Sequence, residues 1–231
     1  MNNYIYIYLI MNINAIVAIS KNNGIGINNK LPWKCKEDLI YFKNLTIGKG
    51  NNAIIMGKNT YKSVGILPKR HNFILSSTLH FSYVKNNFLI KTFISIDELL
   101  KFINNTNNYD NLWIIGGSKI YKSFLNKHLI DLFYITYIDK YFDCDTFMCK
   151  LPNYYLKLSE KISPNKFDDK HSIHYIIFKK IHKNMKIIYK NNHISMVKDI
   201  HFDNLPDIYF TIEYDNKECQ TDIHHLSIYK N

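Results

Sequence analysis

A pair of acidic residues, Glu37 and Asp38, precedes an apolar and aromatic stretch that ends at Phe42. Residues four positions apart lie on one face of a helix, so Asp38 and Phe42 would point in the same direction. Burial of a carboxyl group beside apolar side chains raises its pKa and lets it deliver a proton. The ordinary alternative is a first-turn acid that stabilises the helix dipole, a role that suits Glu37. The pair therefore predicts a helix start at which Asp38 is a candidate proton-handling group.

Arg70 is the single arginine among the 30 lysine and arginine residues of the chain. Its planar guanidinium can bind a carboxylate or phosphate through two parallel hydrogen bonds, whereas lysine offers a point charge. The single arginine is explained either by chance in a lysine-rich composition or by a site that must bind an anion in this bidentate way. The residue type alone leaves both explanations open.

Two glycine motifs follow apolar runs that are typical of buried strands. Gly24 and Gly26 permit a tight turn or the close approach of a ligand. Gly116 and Gly117 lead directly from a strand into a helix, whose free N–H groups can hold a pyrophosphate. This second motif departs from the dinucleotide fingerprint, because Ser118 and the residues after it supply no third glycine. Each motif is therefore either a ligand-binding turn or a packing feature.

Short apolar runs alternate with helical patterns from Ile13 to about Lys180, which is typical of an α/β domain with a mostly parallel sheet and flanking helices. Ser95 begins a capping box that opens one of the helices. A closing pair of strands near Tyr155–Ser159 and His174–Phe178 predicts an antiparallel edge. The other predicted strands are 13–19, 53–56, 73–75, 112–115 and 132–138, and the predicted helices are 38–43, 60–64, 95–104 and 118–125.

The two ends of the chain lie outside this alternating pattern. Residues 1–12 are predicted to be an N-terminal extension, in which Met11 is an alternative start. Residues 181–231 are predicted to form a small β-rich appendage of unknown role, because they carry short strand patterns and no catalytic constellation. Its predicted strands are Lys186–Tyr189, Ile208–Tyr214 and Leu226–Tyr229, with turn candidates at Asn191-Asn192 and Asp215-Asn216.

The composition favours a folded protein whose positive charge reflects either an anionic partner or a solvated basic surface, of which the second is the commoner explanation. Apolar residues make up 46% of the chain, enough to fill a core, and the formal net charge is +11. The lysines are scattered and no nucleic-acid motif is present, which argues against nucleic acid as the partner. The four cysteines lack metal-type spacing and fit reduced thiols, so we expect no metal and a cytoplasmic location. No run is long and apolar enough to span a membrane.

Taken in order, the motifs between residues 13 and 180 resemble the dihydrofolate reductase family. The resemblance rests on seven segments at family-like spacing: Ile16-Val17-Ala18 with Asn23–Gly26, Leu31-Pro32-Trp33, Asp38 with Tyr41-Phe42, Ile55–Val64, Arg70-His71-Asn72 with Leu75-Ser76-Ser77, Ile114–Tyr121, and Tyr134-Ile135-Thr136. It implies a reductase that converts dihydrofolate to tetrahydrofolate by hydride transfer to C6 with protonation at N5, in one-carbon metabolism and thymidylate synthesis. Such an enzyme would be an antifolate target.

The resemblance implies a role for each matching residue. Asp38 would be the acid that binds the pterin, supported by Thr136, and Arg70 would hold the α-carboxylate of the folate tail. Tyr121 would lie at the catalytic centre, beside the cofactor. The substrate-binding set would be Ile16, Val17, Leu39, Phe42, Val64, Leu67 and Arg70.

The implied cofactor is NADPH, beneath a loop of residues 21–33 that opens and closes. The cofactor-binding set would be Ala18, Gly24, Ile25, Leu31, Lys58, Thr60, Ser76, Ser77, Ile115, Gly116, Gly117 and Lys119. The family joins its glycine pair by a cis peptide. It often has arginine where Lys58 and Lys119 stand, so the 2′-phosphate contact would be monodentate in this chain.

Three alternatives are weighed against this interpretation. A pyrimidine reductase of riboflavin synthesis has the same scaffold, but the helix from Trp33 to Phe42 and Arg70 argue against it. A binding or structural protein without turnover, acting through the appendage, is disfavoured by the intact Asp38, Thr136 and Arg70. A fragment of a reductase–thymidylate synthase fusion is rejected, because residues 181–231 carry no synthase motif. The oligomeric state is open, with a monomer as the default.

Overall fold

A computed structural model describes residues 12–106, 109–168, 170–190, 193–202 and 208–229. The predicted extension at residues 1–12 therefore lies almost wholly outside the described residues, as does the turn candidate Asn191-Asn192. The strands of the reductase-like part are β1 (Ile13–Ser20), β2 (Gly24–Gly26), β3 (Ala53–Gly57), β4 (His71–Leu75), β5 (Ser82–Lys85), β6 (Phe88–Phe93), β7 (Leu112–Gly116), β8 (Leu132–Ile138), β9 (Thr146–Phe147), β10 (Tyr155–Ile162) and β11 (Ile173–Lys180). The helices are α1 (Lys36–Ile47), α2 (Lys58–Val64), α3 (Ile96–Thr106) and α4 (Ser118–Asn126).

Within the described residues, nine strands form one sheet in the order β10-β11-β8-β1-β7-β3-β4-β6-β5. The pairs from β8 to β6 are all parallel, whereas β11 runs antiparallel to β8 and β10 runs antiparallel to β11. This arrangement confirms the predicted α/β class with a mostly parallel sheet and an antiparallel edge. The predicted strand 132–138 matches β8 residue for residue.

The sequence analysis did not predict β2, β5, β6 or β9. The hairpin of β5 and β6 adds a second antiparallel edge, and its turn is made by Asn86 and Asn87, both in the left-handed region with φ values of 50° and 68°. All four residues of β5 are exposed. A strand without a buried face lacks the hydrophobic alternation on which such a prediction depends, so β5 is set by its turn and by pairing with β6.

Helix α3 begins as its sequence predicts. The backbone N–H of Glu98 donates to Ser95 Oγ at 3.1 Å, and the Glu98 carboxylate accepts from the Ile94 N–H at 2.7 Å. The two side chains thus satisfy free donors at the helix start, as in a capping box, although the return bond reaches one residue before the cap. Helix α1 ends at Gly48, whose φ of +55° is costly for residues with a Cβ.

Alternation along β1 separates the two faces of the sheet. Ala15, Val17 and Ile19 lie in the larger core cluster, whereas Ile16 lies in a second cluster with Met56 and Trp113. Successive residues of a strand point to opposite faces, so β1 presents Ile16 to one side of the sheet and Val17 to the other.

The C-terminal residues form a second, antiparallel sheet of five strands in the order β15-β14-β13-β12-β16. These strands are β12 (Lys186–Tyr189), β13 (His193–His201), β14 (Tyr209–Tyr214), β15 (Lys217–Asp222) and β16 (Leu226–Ile228), with a short 3-10 turn at Ile223–His225. The sheet confirms a β-rich appendage, and Asp215-Asn216 forms the predicted turn, with φ values of 49° and 60°. Strands β13 and β15 were not predicted.

The appendage packs against the reductase-like part. Ile187, Val197 and Phe210 of its inner face belong to the same buried cluster as Tyr155 of β10 and Phe133 of β8. Beside this cluster, the ring of Phe202 lies 5.0 Å from His128 and 5.7 Å from Tyr154 between ring centroids. The two sheets therefore share apolar packing rather than being joined by a bare linker.

Two further features concern the whole of the described chain. None of its helices is long and apolar enough to cross a membrane. The four cysteines, Cys35, Cys144, Cys149 and Cys219, are free thiols.

Candidate active site

Asp38 lies in the first turn of α1 with only 6% of its surface exposed. Burial raises the pKa of its carboxyl group above the ordinary value of 3.8, and the nearby Thr136 hydroxyl partly offsets this shift. The adjacent Glu37 is half-buried and lines a different, solvent-facing groove. The structure thus separates the two acids as the spacing predicted, with Asp38 directed inward.

Thr136 lies on β8 opposite Ala18 of β1 and is completely buried. Its Oγ1 has no well-formed hydrogen bond to any described residue. A buried hydroxyl without a partner is costly, but here it faces a carboxylate closely enough to lower the pKa of that group. The Thr136 hydroxyl therefore lies beside the Asp38 carboxyl group.

Tyr121 connects helix α4 to strand β1. Its hydroxyl donates to the backbone carbonyl of Ile16 at 2.6 Å, and the side chain is fully buried. Burial strongly raises the pKa of Tyr121, and the charge of Asp38 adds to this shift. The phenol therefore stays protonated, fixes the carbonyl of Ile16 and lies within electrostatic range of the acid.

Four apolar side chains that the resemblance places around the ligands share one cluster. Ile16, Phe42, Leu67 and Ile115 belong to one cluster on the Ile16 side of the sheet. The prediction that the Val17 side chain contacts the substrate beside Ile16 is wrong. Val17 packs in the larger core on the other face of the sheet, because adjacent residues of a strand point in opposite directions. Only its backbone can reach the cleft.

Three apolar side chains predicted to contact ligands are exposed. Leu39 on α1 is 54% exposed, Val64 at the end of α2 is 46% exposed, and Leu31 is 49% exposed. Exposed apolar surface of this size is unfavourable in water and is covered when an apolar ligand binds. Leu39 lies on α1 and Val64 at the end of α2, each three residues before a member of the Ile16 cluster, Phe42 and Leu67 respectively.

Arg70 is buried, with 4% of its surface exposed, and forms no ion pair with any described residue. Its Nε donates to the Pro68 carbonyl at 2.9 Å, one Nη donates to Thr46 Oγ1, and the guanidinium lies 5.8 Å from the ring centroid of Phe42. Burial lowers the pKa of this guanidinium. A buried cation without a counterion favours the binding of an external anion.

The glycine pair forms a narrow cradle between α4 and α2. Gly116 and Gly117 are joined by a cis peptide, as the resemblance implies, and Gly116 has a φ of +113°. A Cβ on Gly116 would lie 3.2 Å from the ring of Tyr121, and one on Gly117 would lie 3.5 Å from Thr60 Oγ1. A side chain would fill this space, so the backbone can be approached closely here, which fits a nicotinamide dinucleotide.

The residues expected to bind phosphate fall into two groups. Lys58, Thr60, Ser77 and Lys119 are partly or fully exposed. The Ser76 hydroxyl, in contrast, is buried and accepts from the backbone N–H groups of Thr78 and Leu79 at 3.1 and 3.0 Å. Ser76 therefore shapes the turn after β4, and its hydroxyl is less accessible to a phosphate than expected.

Hydrogen bonds, strand pairing and apolar contacts hold the loop of residues 21–33 at several points. Ser20 Oγ accepts from the Gly24 N–H at 3.0 Å, and β2 pairs with β9. A Cβ on Gly24 would lie 2.2 Å from Cys144 Sγ, so only glycine allows this approach. Ile25 packs on the larger core and Ala18 on the cluster around Trp33. The loop thus lies against the sheet with Leu31 exposed at its far end.

Three positioning residues were missed by the sequence analysis. Asn72 is fully buried; its side chain accepts from the Leu67 N–H and donates to the carbonyls of Leu67 and Arg70, at distances between 2.8 and 2.9 Å. Thr46 binds Arg70, and Thr78 Oγ1 accepts from Lys58 Nζ at 2.7 Å. The one local signal for such a positioning role is a polar residue near the start of a buried strand, as Asn72 is in β4. The roles of Thr46 and Thr78 depend on tertiary contacts, which no local pattern indicates.

Comparison with known proteins gives a consistent result. A sequence model of the family described as dihydrofolate reductase matches residues 12–182, and the C-terminal sheet lies outside this match. The dihydrofolate reductase of Drosophila melanogaster is 36% identical over 148 residues, covering 61% of this chain and 80% of the relative. That of Haemophilus influenzae is 36% identical over 142 residues, covering 61% and 81%. The viral dihydrofolate reductase of Saimiriine herpesvirus 2 is 33% identical over 180 residues, covering 72% and 83%.

Proposed function

The chain belongs to the dihydrofolate reductase family and is an oxidoreductase that reduces dihydrofolate to tetrahydrofolate, and we propose that NADPH is its hydride donor. The proposed site is supported most strongly by two buried charged groups, Asp38 and Arg70, which do not contact each other and lie near the same apolar cluster. Asp38 has a raised pKa next to an otherwise unpartnered Thr136 hydroxyl, and Arg70 has no counterion among the described residues. One end of the cleft thus suits a hydrogen-bonding heterocycle and the other a carboxylate.

Asp38 and Thr136 anchor the pterin in this proposal. A carboxylate with two acceptor oxygens pairs with the amino group and ring nitrogen of a pterin, and Thr136 Oγ1 orients it. Burial raises the pKa of Asp38, and the negative charge of its ionised form, weakly screened in a buried site, favours a proton on the bound substrate. The residue thereby promotes protonation at N5 while it holds the ring in place.

Arg70 binds the carboxylate of the glutamate tail. Pro68, Thr46 and Phe42 fix the guanidinium from the protein side, while Nη2 makes no hydrogen bond to a described residue. The exposed walls Leu39 and Val64 cover the apolar middle of the substrate. Binding therefore buries apolar surface, excludes water and neutralises a buried cation at once.

The nicotinamide, when bound, would supply the hydride. Gly116 and Gly117 admit the dinucleotide backbone, and Thr60 lies beside them. Lys58, Ser77 and Lys119 offer donors for the phosphates, and Ala18, Ile25, Leu31 and Ile115 border the nicotinamide side. Tyr121 holds the Ile16 carbonyl at the boundary between the two ligands. A dry, preorganised site of this kind lowers the barrier by orientation.

In the same proposal, residues 13–180 carry out catalysis, and residues 181–231 form an appendage that packs against the nine-stranded sheet and stabilises it. We also propose a cytoplasmic enzyme that is monomeric by default.

The experiment that tests the function is product identification. Purified protein is incubated with NADPH and dihydrofolate, and the folate product is identified by mass spectrometry. We expect tetrahydrofolate in amounts equal to the NADPH consumed, and less consumption with NADH. NADPH oxidation that is equally fast without dihydrofolate would contradict the assignment.

A further inference from the structure

A serine, a histidine and a glutamate form a hydrogen-bonded chain on the antiparallel edge of the nine-stranded sheet. Ser172 Oγ lies 2.8 Å from Nε2 of His174, and Nδ1 of the same ring lies 2.9 Å from Oε1 of Glu160. Ser172 directly precedes β11, His174 lies in β11 and Glu160 lies in β10. The proposed reductase site uses none of these three side chains. Their order and their bonded atoms match a serine hydrolase triad, in which a carboxylate orients the histidine that takes the serine proton.

The triad lies on the face of the sheet opposite the reductase site. His174 is paired with Tyr137 of β8, and directly paired residues of two strands share a face. The next residue along β8 is Thr136, whose hydroxyl lies beside Asp38. Because adjacent strand residues point to opposite faces, the sheet separates the triad from the reductase site.

Hydrogen bonding assigns a role to each of the three groups. Bonds from Lys157 and then His174 hold the pKa of Glu160 below its ordinary range, so its carboxylate is charged at neutral pH. An ionised carboxylate only accepts hydrogen bonds, so Nδ1 of His174 donates to Glu160. In the neutral imidazole Nε2 is then the acceptor, and the Ser172 hydroxyl donates to it. The unprotonated nitrogen of the base therefore points at the nucleophile.

Contacts from both neighbouring strands hold the imidazole of His174. On the β10 side Glu160 binds Nδ1, and on the β8 side the ring of Tyr137 lies edge-on, 5.7 Å away between ring centroids. The backbone of Ser172 is fixed as well, because its carbonyl accepts from the Asp139 N–H at 3.0 Å. Nucleophile and base are therefore oriented before any substrate binds, which lowers the entropic part of the barrier.

The triad is accessible at the protein surface, beside an apolar side chain. Ser172 is partly exposed, and the side chain of His174 is 20% exposed. Ile162 lies directly opposite His174 in the pairing of β10 with β11, so it points to the same face, and it is 59% exposed. An aromatic ring packed on Ile162 would cover this apolar surface. The surroundings therefore suit a small ester of an aromatic alcohol.

We propose that Ser172, His174 and Glu160 form a second catalytic site, which hydrolyses aryl esters of short carboxylic acids. Ser172 Oγ attacks the carbonyl carbon of the ester, and its proton passes to Nε2 of His174. The bond between the carbonyl carbon and the aryl oxygen then breaks, and the phenolate leaves with the electron pair. The imidazolium gives its proton to the phenolate, and the acyl group remains on Ser172.

Water releases the acyl group in the second half of the reaction. The water oxygen attacks the acyl carbon while His174 Nε2 takes its proton, and the bond from that carbon to Ser172 Oγ breaks. The serine oxygen recovers a proton from the imidazolium. The products are a phenol and a carboxylic acid, and neither an oxidant nor a cofactor is consumed.

The test is reaction of the full chain with p-nitrophenyl acetate in the absence of folate and NADPH, so its outcome is independent of the proposed reductase. Acid-quenched peptides are analysed by mass spectrometry for acetyl-Ser172, and p-nitrophenol release is followed by absorbance. For the wild type we expect acetyl-Ser172 and release beyond one equivalent. His174→Gln should slow acetylation of Ser172 about 100-fold, the lower end of the contribution of a positioned general base.

Two further variants separate catalysis from structure. His201→Gln is the matched control, because Nε2 of His201 lies 2.8 Å from Thr211 Oγ1 but its ring forms no ion pair with a carboxylate of the described residues. It should leave acetylation of Ser172 unchanged. Glu160→Gln tests the positioning role: ¹⁵N NMR should show the Nδ1–H tautomer of His174 in the wild type and both tautomers in the variant, with slower acetylation.

Four results would overturn the proposal. Two of them are the absence of acetyl-Ser172 from folded wild-type protein and equal acetylation in His174→Gln. The third is turnover that survives in Ser172→Ala, because another group would then be the nucleophile. The fourth is acetyl-Ser172 that forms but is not hydrolysed, because the site would then hold a reactive serine without hydrolase activity.

Discussion

The guanidinium of Arg70 lies over the ring of Phe42, 5.8 Å from its centroid, while Thr46 on the same helix accepts a hydrogen bond from it. One turn of α1 thus carries Phe42, whose ring would cover the substrate, and Thr46, whose hydroxyl orients Arg70, the only arginine of the chain. Asp38 lies on the same face of this helix, four residues before Phe42. A single helix therefore carries one of the two buried charged groups, Asp38, and contacts the other, Arg70.

Arg70→Lys should weaken dihydrofolate binding by about 1–3 kcal/mol, because it removes one arm of a charge-assisted bidentate pair. The dissociation constant is measured by fluorescence titration. A pterin without the glutamate tail is the control ligand, and its affinity should not change. An equal loss for both ligands would mean that Arg70 only supports the fold.

Asp38→Asn should stabilise the protein at neutral pH while it impairs activity. Burial raises the folded-state pKa of Asp38 above 3.8, so its contribution to stability is complete below that pH and is lost as the pH rises through the folded pKa. Asparagine avoids this loss. Urea unfolding at pH 7 should give a larger free energy of unfolding for the variant, and the gain should vanish below about pH 4. A variant less stable at pH 7 would contradict a carboxyl group whose pKa is raised by burial.

Lys58→Gln should weaken NADPH binding about tenfold and leave NADH binding unchanged. The ammonium donates to Thr78 Oγ1 at 2.7 Å, and in the proposed site it would make one charge-assisted contact to the 2′-phosphate, which NADH lacks. Lys58→Arg should bind NADPH at least as tightly, since a guanidinium adds a second donor. Affinities are measured by calorimetry without substrate. A parallel loss for both cofactors would place the 2′-phosphate elsewhere.

Val197→Ala should lower the temperature at which reductase activity is lost, although Val197 lies in the C-terminal sheet. Val197 is fully buried in the shared core, whereas Ile194 on the same strand is 60% exposed. Removing buried methyl groups costs on the order of 1–3 kcal/mol, or several degrees in a chain of this size. Ile194→Ala is the matched control and should have little effect. If Val197→Ala melts the appendage alone and spares activity, the two sheets are independent.

Much of the site could be predicted from the sequence, because its chemistry is carried by local patterns. Asp38 and Phe42 share a helix face by spacing alone, and the glycine pair lies between an apolar strand and a helix. Val17 shows where this reasoning stopped, since the resemblance named the position but only the pleat of β1 decides which way it points. Ser76 is similar: its hydroxyl is taken by a turn that local residue types did not indicate.

The C-terminal sheet shows the same limit. Strand β15, with the sequence Lys-Glu-Cys-Gln-Thr-Asp, has almost no strand propensity. It forms because the turn at Asp215-Asn216 brings it beside β14, where six residue pairs are in register. The packing of this sheet on β10 depends on Tyr155 and Ile187, which are more than 30 residues apart and share no local pattern.

The most direct test of the central claim is the rate of dihydrofolate-dependent NADPH oxidation in three proteins: wild type, Asp38→Asn and Glu37→Gln. Loss of a positioned proton-handling group typically costs about 10²–10⁴-fold in rate, so kcat/KM for Asp38→Asn should fall by that factor at neutral pH. Glu37→Gln, which changes the neighbouring acid outside the cleft, should remain within about twofold of wild type. A folded wild-type protein that shows no dihydrofolate-dependent oxidation, or an Asp38→Asn variant as active as Glu37→Gln, would contradict the account.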